Sequence, residues 1–394
     1  MKLFKSLLVA PATLGLLAPM SVTANELNIT EVSGYSSSEE IQNISDFDSA
    51  KEIAVTNSRV DGLEARFNNF EAGSFSETTT ASFSADFLIG ATDTDDGSAT
   101  AVDSDDSVMA GYSFQIDLNT SFTGEDSLDI SIDGGNASGA GYAEFDGNST
   151  GDFLKVDGVS YTFPVGGATV IVGDNTDGSA LFTTACVYGG PSNTLDDCGN
   201  VNAGITNGGA MLGASYDFNN GFTSAVGYAG PEGGIMTEES FDAYGINAAY
   251  TGDSYGVSLT YGLLETTVTE ENTFTALNGY YTPEGLPSIS VGYETGDIGG
   301  ALAGVDESTS FFVGLTWDEV GPGSAGVALG HTTIEGSDEE YMYEAYYEYP
   351  VNDGMTITPL VFVKENATAG SDDTTGAMVK TCLLYTSDAA DEED

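Results

Sequence analysis

Basic side chains are nearly absent from this chain. Eight Lys and Arg stand against 62 Asp and Glu in 394 residues, a formal net charge of −54. A phosphate backbone would be repelled by such a molecule, which excludes nucleic acid as a partner. The acidity is equally consistent with adaptation to a salty medium, so it assigns no binding role by itself. His and Trp occur once each, as His331 and Trp317. No GxSxG, HExxH or paired catalytic arrangement occurs, so neither an enzymatic activity nor a cofactor is expected. Long apolar runs are missing too. After Leu17 nothing approaches the ~20 apolar residues of a membrane helix.

The first residues still direct the chain out of the cytoplasm. Lys2 and Lys5 precede the apolar run Leu7 to Leu17, and Val22-Thr23-Ala24 offers a small residue for cleavage. This is the pattern of a secretory signal peptide over residues 1–24. The run is too short for an anchor and is broken by Pro11. The mature chain is expected to begin near Asn25.

What the chain has in quantity is Gly (51), Tyr (20) and Phe (20), at a mean hydropathy close to zero. That mixture suits a barrel with an apolar outward parity and a small, polar inward one better than it suits a packed core. The stretch Phe241 to Gly262 makes the case locally. Tyr244, Ile246, Ala248 and Tyr250 share one parity, and Gly245, Asn247 and Ala249 the other. After the turn Gly252-Asp253-Ser254, the residues Tyr255, Val257, Leu259 and Tyr261 share a face. Strict alternation on both sides of a short turn predicts a β-hairpin. Tyr at both ends of both apolar faces fits a lipid-facing strand, because the ring sits among headgroups with its hydroxyl in water. Taken alone, the hairpin would also fit a half-buried pair in a soluble sandwich.

Recurrence decides between them. Alternating runs continue from about residue 78 to Thr381, the clearest being Val108, Ala110, Tyr112, Phe114, Ile116 and Leu118. The count is about sixteen. The connections sort by length: Pro164 to Gly167, Asn219 to Gly221, Gly252 to Ser254, Pro283 to Pro287 and Val351 to Gly354 are short, while 92–106, 134–152, 173–208, 296–307 and 366–374 are long and rich in Asp, Gly and Ser. Short turns at one end and long loops at the other are the habit of outer-membrane barrels. The fold class predicted is all-β, an antiparallel transmembrane barrel of about sixteen strands over residues 73–381. An acidic flexible segment (25–49) and one helix (50–72) precede it. In that helix Ile53, Val60, Phe67, Leu63 and Phe70 form an a/d stripe. The stripe is expected to plug the barrel mouth or to hold a trimer.

The junction Ser58 to Phe87, SRVDGLEARFNNFEAGSFSETTTASFSADF, resembles the passage from linker helix to first strand in cyanobacterial outer-membrane porins, which are grouped with carbohydrate-selective and iron-uptake porins. The chain from Ala50 to Thr381 looks like their short marine picocyanobacterial members. The resemblance implies a homotrimer of open barrels in the outer membrane of a Gram-negative-type bacterium, a cyanobacterium, passing small hydrophilic solutes and inorganic ions. Larger members carry a surface-layer homology module, for which residues 25–49 leave no room. Such porins close on a strand with an aromatic end. Here residues 382–394, from Cys382 on, resemble translated sequencing-adapter sequence and are read as a non-native tail that cuts the last strand short.

Candidate site residues follow from parity and spacing. Cys186 and Cys198 flank eleven residues of the longest loop, and in an exported chain this proximity reads as a disulfide. In sixteen-stranded porins the loop after the fifth strand folds inward and narrows the pore; a stiffened surface loop is the other reading. Gln115, Asp117, Asn119 and Asn247 fall on the inward parity, as does Lys155 between Leu154 and Val156. These five are the predicted pore lining. After the helix only Lys155, Lys364 and Lys380 carry positive charge, so a weak cation preference is expected. The acidic run Thr92 to Gly97 has the wrong spacing for an EF-hand; loose divalent-cation binding between acidic loops is its strongest functional reading, and a solvated loop tip its plainer one. The rival functions are a structural or adhesive barrel without an open pore and, more remotely, an outer-membrane hydrolase.

Overall fold

A computed structural model describes residues 79–93, 108–137, 144, 147–148, 150–206, 209–237, 241–267, 270–299, 306–336, 339–366 and 373–387. The expected signal peptide, the 25–49 segment, the 50–72 helix, most of the Thr92 to Gly97 run and residues 388–394 lie outside them. Sixteen strands follow in order: β1 (Thr79–Asp93), β2 (Met109–Thr120), β3 (Ser127–Gly135), β4 (Lys155–Val165), β5 (Ala168–Asp174), β6 (Ala210–Asp217), β7 (Phe222–Gly230), β8 (Ala243–Thr251), β9 (Tyr255–Thr267), β10 (Glu270–Tyr281), β11 (Ser288–Ile298), β12 (Glu307–Val320), β13 (Gly323–Ile334), β14 (Glu340–Asn352), β15 (Met355–Lys364) and β16 (Thr374–Ser387). Each strand pairs antiparallel with its neighbours in sequence, and β1 pairs with β16, so the sheet closes on itself. Closure satisfies the edge groups that an open sheet would leave unpaired in lipid.

The ladder register carries the parities round the wall, with local shifts in the β3–β4, β9–β10, β12–β13 and β14–β15 pairs. Phe83 lies opposite Ile116 and Tyr385, Phe87 opposite Tyr112, and Ile246 opposite Val226 and Tyr261. This face is apolar and open: Ile246 is 56% exposed, Leu259 51% and Leu277 52%. Its opposite, led by Asn247 at 4%, points inward. A belt of exposed aliphatics running round a closed sheet is far too large for a water-facing surface and matches the lipid-facing band of a membrane barrel. Aromatic rings cluster at its two borders. At the short-turn end Tyr216 meets Phe218 (4.9 Å between centroids), and Tyr250 meets Phe222 and Tyr255 (4.8 and 5.4 Å). At the long-loop end Tyr228 meets Tyr244, and His331 sits between Phe311 and Tyr341 (5.9 and 4.9 Å). His331 thus belongs to the outer belt.

The turns follow local chemistry. Between β2 and β3, Asp126 accepts bonds from the backbone N–H groups of Phe122 and Thr123 and from the hydroxyls of Ser121, Thr123 and Tyr161. The Tyr161 hydroxyl, followed by the turn N–H and hydroxyl donors, holds its carboxyl well below the usual carboxylate range despite burial. The sorting of loops by length has two exceptions at the long-loop end: β9 and β10 are separated only by residues 268–269, and β13 and β14 by residues 335–339, fewer than the 121–126 and 282–287 connections at the other end.

Two sequence expectations are corrected. The closing strand does not stop at Thr381 but runs to Ser387. Alternation continues through it, with Leu383 opposite Ala85 and Tyr385 opposite Phe83 on the outer face, so the extra residues complete the seam with β1 and place a ring near its end. The inward parity is also not uniformly small and polar. Leu88, Phe312, Met342, Tyr346, Leu360, Phe362 and Met378 point inward and form a buried cluster. A lumen filled with water would not retain such a cluster; another part of the chain covers it.

In a Cys382→Ser background, Leu259→Cys should react with a membrane-soluble maleimide only, and Gln115→Cys with a water-soluble thiol reagent. The reverse pattern in reconstituted protein would overturn the assignment of faces.

Candidate functional site

Most of the cover is the loop between β5 and β6, described over residues 175–206, and Gly147 of the β3–β4 loop lies over Leu88. The β5–β6 loop folds into the barrel and is fastened to the wall of β8 to β15. Its first half meets neutral side chains. Asn247 on β8 accepts from the Thr183 N–H (3.0 Å) and donates to the Thr183 carbonyl (3.1 Å). Ser258 on β9 accepts from the Ala185 N–H (2.8 Å), and Ser290 on β11 from the Val187 N–H (3.0 Å). Its second half meets carboxylates. Glu294 on β11 accepts from the N–H groups of Asn202 and Ala203 (both 2.8 Å) and from the Asn202 amide (2.9 Å). Glu344 on β14 accepts from the Tyr188 hydroxyl. Glu144, in the β3–β4 loop, accepts from the Thr194 N–H and hydroxyl (3.2 and 2.9 Å) and pairs with Lys364 of β15 (2.8 Å). Asn278 donates to the Cys198 carbonyl (2.8 Å).

Between these fastenings the loop fits the apolar part of the wall. Tyr188 packs edge-on against Phe312 and Tyr346, with centroids 5.3 and 5.9 Å away, and Leu195 joins the same cluster. Cys186 and Cys198 are bonded to each other, with their Cα atoms 6.4 Å apart. The wall makes room by omission. A Cβ on Gly292 would overlap the Cys198 carbonyl oxygen, and Gly199 sits at φ +73° against Phe312, a conformation that glycine adopts without cost.

Burial separates two sides of the lumen. Under the loop Ser258, Asn278, Ser290, Glu294 and Phe312 are each 1% exposed. Along β1 to β4 the inward side chains Ser82, Ser84, Gln115, Asp117, Asp129, Ser131 and Ser160 keep partial exposure. Further along the same strands Leu88, Ser113 and Asp133 are 1, 5 and 3% exposed; the half of that polar wall nearer the short turns is the open side. Its carboxylates are held in place: Asp117 accepts from Gln115 (2.8 Å) and Ser131 (2.6 Å), and Asp129 from Asn119 (2.6 Å) and Ser127 (2.8 Å).

The five predicted pore residues therefore divide. Gln115, Asp117 and Asn119 stand on the open wall. Lys155 is exposed at the start of β4, opposite Asp133 in the ladder, ahead of a register shift that sets Asp157 out of step. Asn247 faces inward but lies beneath the loop, so it holds the loop rather than lining the passage. Missing from the expected set were Glu294, Glu344 and Glu144, which carry the loop's charged fastenings. Their sequence signal was slight: a carboxylate at an otherwise small or apolar inward position, as in Gly292-Tyr293-Glu294. The lumen bases are also less available than their number suggests. Lys380 pairs with Asp86 at 3.2 Å, and Lys364 is taken by Glu144.

Burial pushes the loop carboxyl of Asp197 up to about 7, and the carboxylates of Asp196 and Glu294 add repulsion. A raised carboxyl favours the docked loop while protonated. This contribution is full below the ordinary Asp range near pH ~4 and declines as pH rises towards about 7. Asp197→Asn should remove this decline, read as loop proteolysis that no longer rises between those limits. Gly292→Ala should weaken docking by about 1–3 kcal/mol, the usual effect of overpacking, with faster loop cleavage in an intact barrel. Unchanged cleavage would contradict the close approach.

No protein-family model matches the chain. It is 24% identical over 414 residues to an uncharacterised protein of Nostoc sp., covering 85% of this chain and 70% of that one. Among solved structures, OprB of Pseudomonas putida superposes with a TM-score of 0.58 at 12% identity, over 78% of this chain and 94% of that one. An anion-selective porin from Comamonas acidovorans gives 0.58 at 14% identity, over 78% and 99%. A mutant of the Rh. blastica porin gives 0.54 at 14% identity, over 77% and 100%. The chain has the sixteen-stranded fold of bacterial outer-membrane porins.

Proposed function

We propose that this protein is a porin of the outer membrane of a Gram-negative-type bacterium, passing small hydrophilic solutes and inorganic ions by diffusion, with a weak preference for cations. The observation that carries this reading is the division of the lumen. An inward-folded loop closes the side of β8 to β15, and a polar wall with fixed carboxylates stays open along the short-turn half of β1 to β4. The similarity to porins supports the channel, and the Nostoc relative supports a cyanobacterial source.

The cation preference rests on electrostatics. A cross-channel field needs bases facing acids. Of the three lysines in the barrel, two are in ion pairs with Glu144 and Asp86. Asp117 and Asp129 are left with Lys155 as the remaining lysine to offset them. Low-dielectric walls focus the field of such charges, and a carboxylate lining favours cations. The Comamonas acidovorans porin is anion-selective; a shared fold does not carry selectivity, which belongs to the charges mounted on it.

We also read the assembly as a homotrimer. Strands β5 and β6 have 7 and 8 residues, against 14 in β12 and β16. At ~3.4 Å per residue and a tilt of about 40°, the shortest strand spans roughly 18 Å, less than the ~25 Å apolar band of a membrane barrel. Neighbouring copies seated on this low wall would shield its ends from lipid.

A barrel that serves only as a structural element is the second reading, favoured by the apolar cluster that fills one side of the lumen. Liposome swelling separates the two, since a closed barrel gives none. Selectivity is read from the reversal potential in a salt gradient. It should lie on the cation side at low salt and shrink at high salt as the charges are screened. Lys155→Glu should raise the relative cation permeability roughly twofold. A chloride-selective potential at low salt would overturn the assignment.

A further inference from the structure

We infer that the connection between β7 and β8 folds back over the outer face of the barrel and forms a lipid-contact surface, with Ile235 and Met236 entering the membrane leaflet at the long-loop end. The inference needs a membrane barrel but no open pore, so it stands apart from the channel reading.

The first observation is a tyrosine that is buried on the outside of the wall. Tyr228 lies opposite Leu212 on β6 and Tyr244 on β8, so it shares their outward parity. Those two partners are 48 and 38% exposed, as lipid-facing side chains are, whereas Tyr228 is 7% exposed. A long side chain on the outer face is hidden only where more of the chain lies over it. Here that is the β7–β8 connection. The Met236 N–H donates to the Tyr228 hydroxyl (3.2 Å), and the same hydroxyl donates to Asp242 (2.7 Å), which is 2% exposed. One phenol thus ties two points of the connection to the outer face.

The second observation is the backbone of the segment. The Gly234 N–H donates to the Pro231 carbonyl and the Thr237 N–H to the Gly234 carbonyl, both at 3.2 Å, and the Thr237 hydroxyl donates to that carbonyl as well (3.1 Å). These two successive turns fold the chain back. Within the second, Met236 takes φ +55°. The left-handed conformation costs a residue with a Cβ roughly 1–2 kcal/mol and persists where surrounding contacts impose it. The contact here is the Met236 N–H on Tyr228. With that N–H turned to the barrel, the Met236 side chain is left 61% exposed, and Ile235 beside it is 48% exposed.

Lipid is the occupant that the surroundings favour. The pair adjoins the aromatic border of the apolar belt, and Leu212 and Tyr244 continue that belt below it. The strands at this place are short, with 8 residues in β6 and 9 in each of β7 and β8. At ~3.4 Å per residue and a tilt of about 40° they span roughly 21–23 Å, less than the ~25 Å apolar band of a membrane barrel. A folded connection that presents two large aliphatic side chains beside Tyr228 supplies the missing height. Acidic residues bound the depth of the contact. Glu232 is exposed on one side of the pair, and Glu238 and Glu239 follow it in the sequence. Such charges are tolerated near the headgroups and not at the bilayer midplane, so the contact is shallow. The β5–β6 loop leaves the same end of the barrel and does the reverse, turning into the lumen.

The test uses the full chain in phosphatidylcholine vesicles, with the native tryptophan removed by Trp317→Phe. Ile235→Trp and Met236→Trp, each introduced alone, then provide two independent reporters, read in protein that shows the heat-dependent gel shift of a closed barrel. Both should lose emission to lipid brominated near the headgroup end of its acyl chains and be insensitive to iodide supplied on both sides of the membrane. Leu259→Trp should respond most to bromines deeper in the chains. Tyr228→Phe combined with Ile235→Trp should exchange bromine quenching for iodide quenching. In the chain carrying Tyr228→Phe alone, hydrogen exchange at the Met236 amide should rise roughly fivefold, the scale of one neutral hydrogen bond. Iodide quenching of the reporters with Tyr228 intact would make the connection an aqueous loop and overturn the inference. Reporters shielded from bromine and iodide alike would place a neighbouring copy on the segment and overturn it equally. Quenching and exchange unchanged by Tyr228→Phe would overturn the anchoring by the hydroxyl. None of these readings needs conductance, so a barrel without ion flux would count against the porin reading alone.

Discussion

The rule that governs this molecule is that lipid offers no hydrogen bonds to backbone groups. A sheet in the bilayer must therefore close, and β16 must meet β1 along its length. Closure fixes everything downstream. It gives the wall two faces of opposite solvent, makes side-chain parity continuous through fifteen further strand pairs, and leaves a lumen that long connections can enter. The apolar belt and its aromatic borders are the outward consequence of that constraint. The loop of residues 175–209 is the inward one.

That loop shows how a barrel acquires a specific passage. The wall it covers is neither the small polar surface of an open channel nor a packed core. It is a mosaic of buried acceptors, apolar side chains and glycines where the loop backbone lies close. Tyr188 fills the gap between Phe312 and Tyr346 while its hydroxyl reaches Glu344. A buried carboxylate that receives three donors, as Glu294 does, is stable because its charge is fully answered. The same burial makes it costly to disturb. Covering one side leaves the other free, and the free side carries the carboxylates Asp117 and Asp129, held by Gln115, Ser131, Asn119 and Ser127.

The scarcity of lysine has a structural corollary. With so few bases, two of the three in the barrel are placed against a carboxylate partner, Lys364 at Glu144 and Lys380 at Asp86, and Lys155 stands exposed at the start of β4. These contacts hold strands and loops together rather than line the pore with positive charge. Acidic groups elsewhere are accommodated by hydroxyl and amide donors, as around Asp126 and Asp129. Serine, threonine and tyrosine thus do the work that arginine often does.

What the sequence determined by itself was everything that period-two alternation encodes. The hairpin of Tyr244 to Tyr261, the strand count, the outward turn of Ile246 and the inward turn of Asn247 were all legible, because parity is a local property of consecutive residues and lipid enforces it at each strand. The sorting of short and long connections was legible for the same reason, with the β9–β10 and β13–β14 connections as exceptions. Only the tertiary structure decided which inward residues meet water and which meet the loop. The partners Thr183 and Asn247 are 64 residues apart, and Tyr188 and Glu344 are 156 apart; nothing local in Asn247 distinguishes a pore-lining amide from a fastening one. The inward Leu88, Phe312 and Leu360 contradicted the alternation until their cover was known, and the last strand proved longer than its unusual residues suggested. In each case the deciding contact joins residues far apart in the chain, across the lumen for the loop and along the β1–β16 seam for the last strand, where neighbours are set by closure of the sheet.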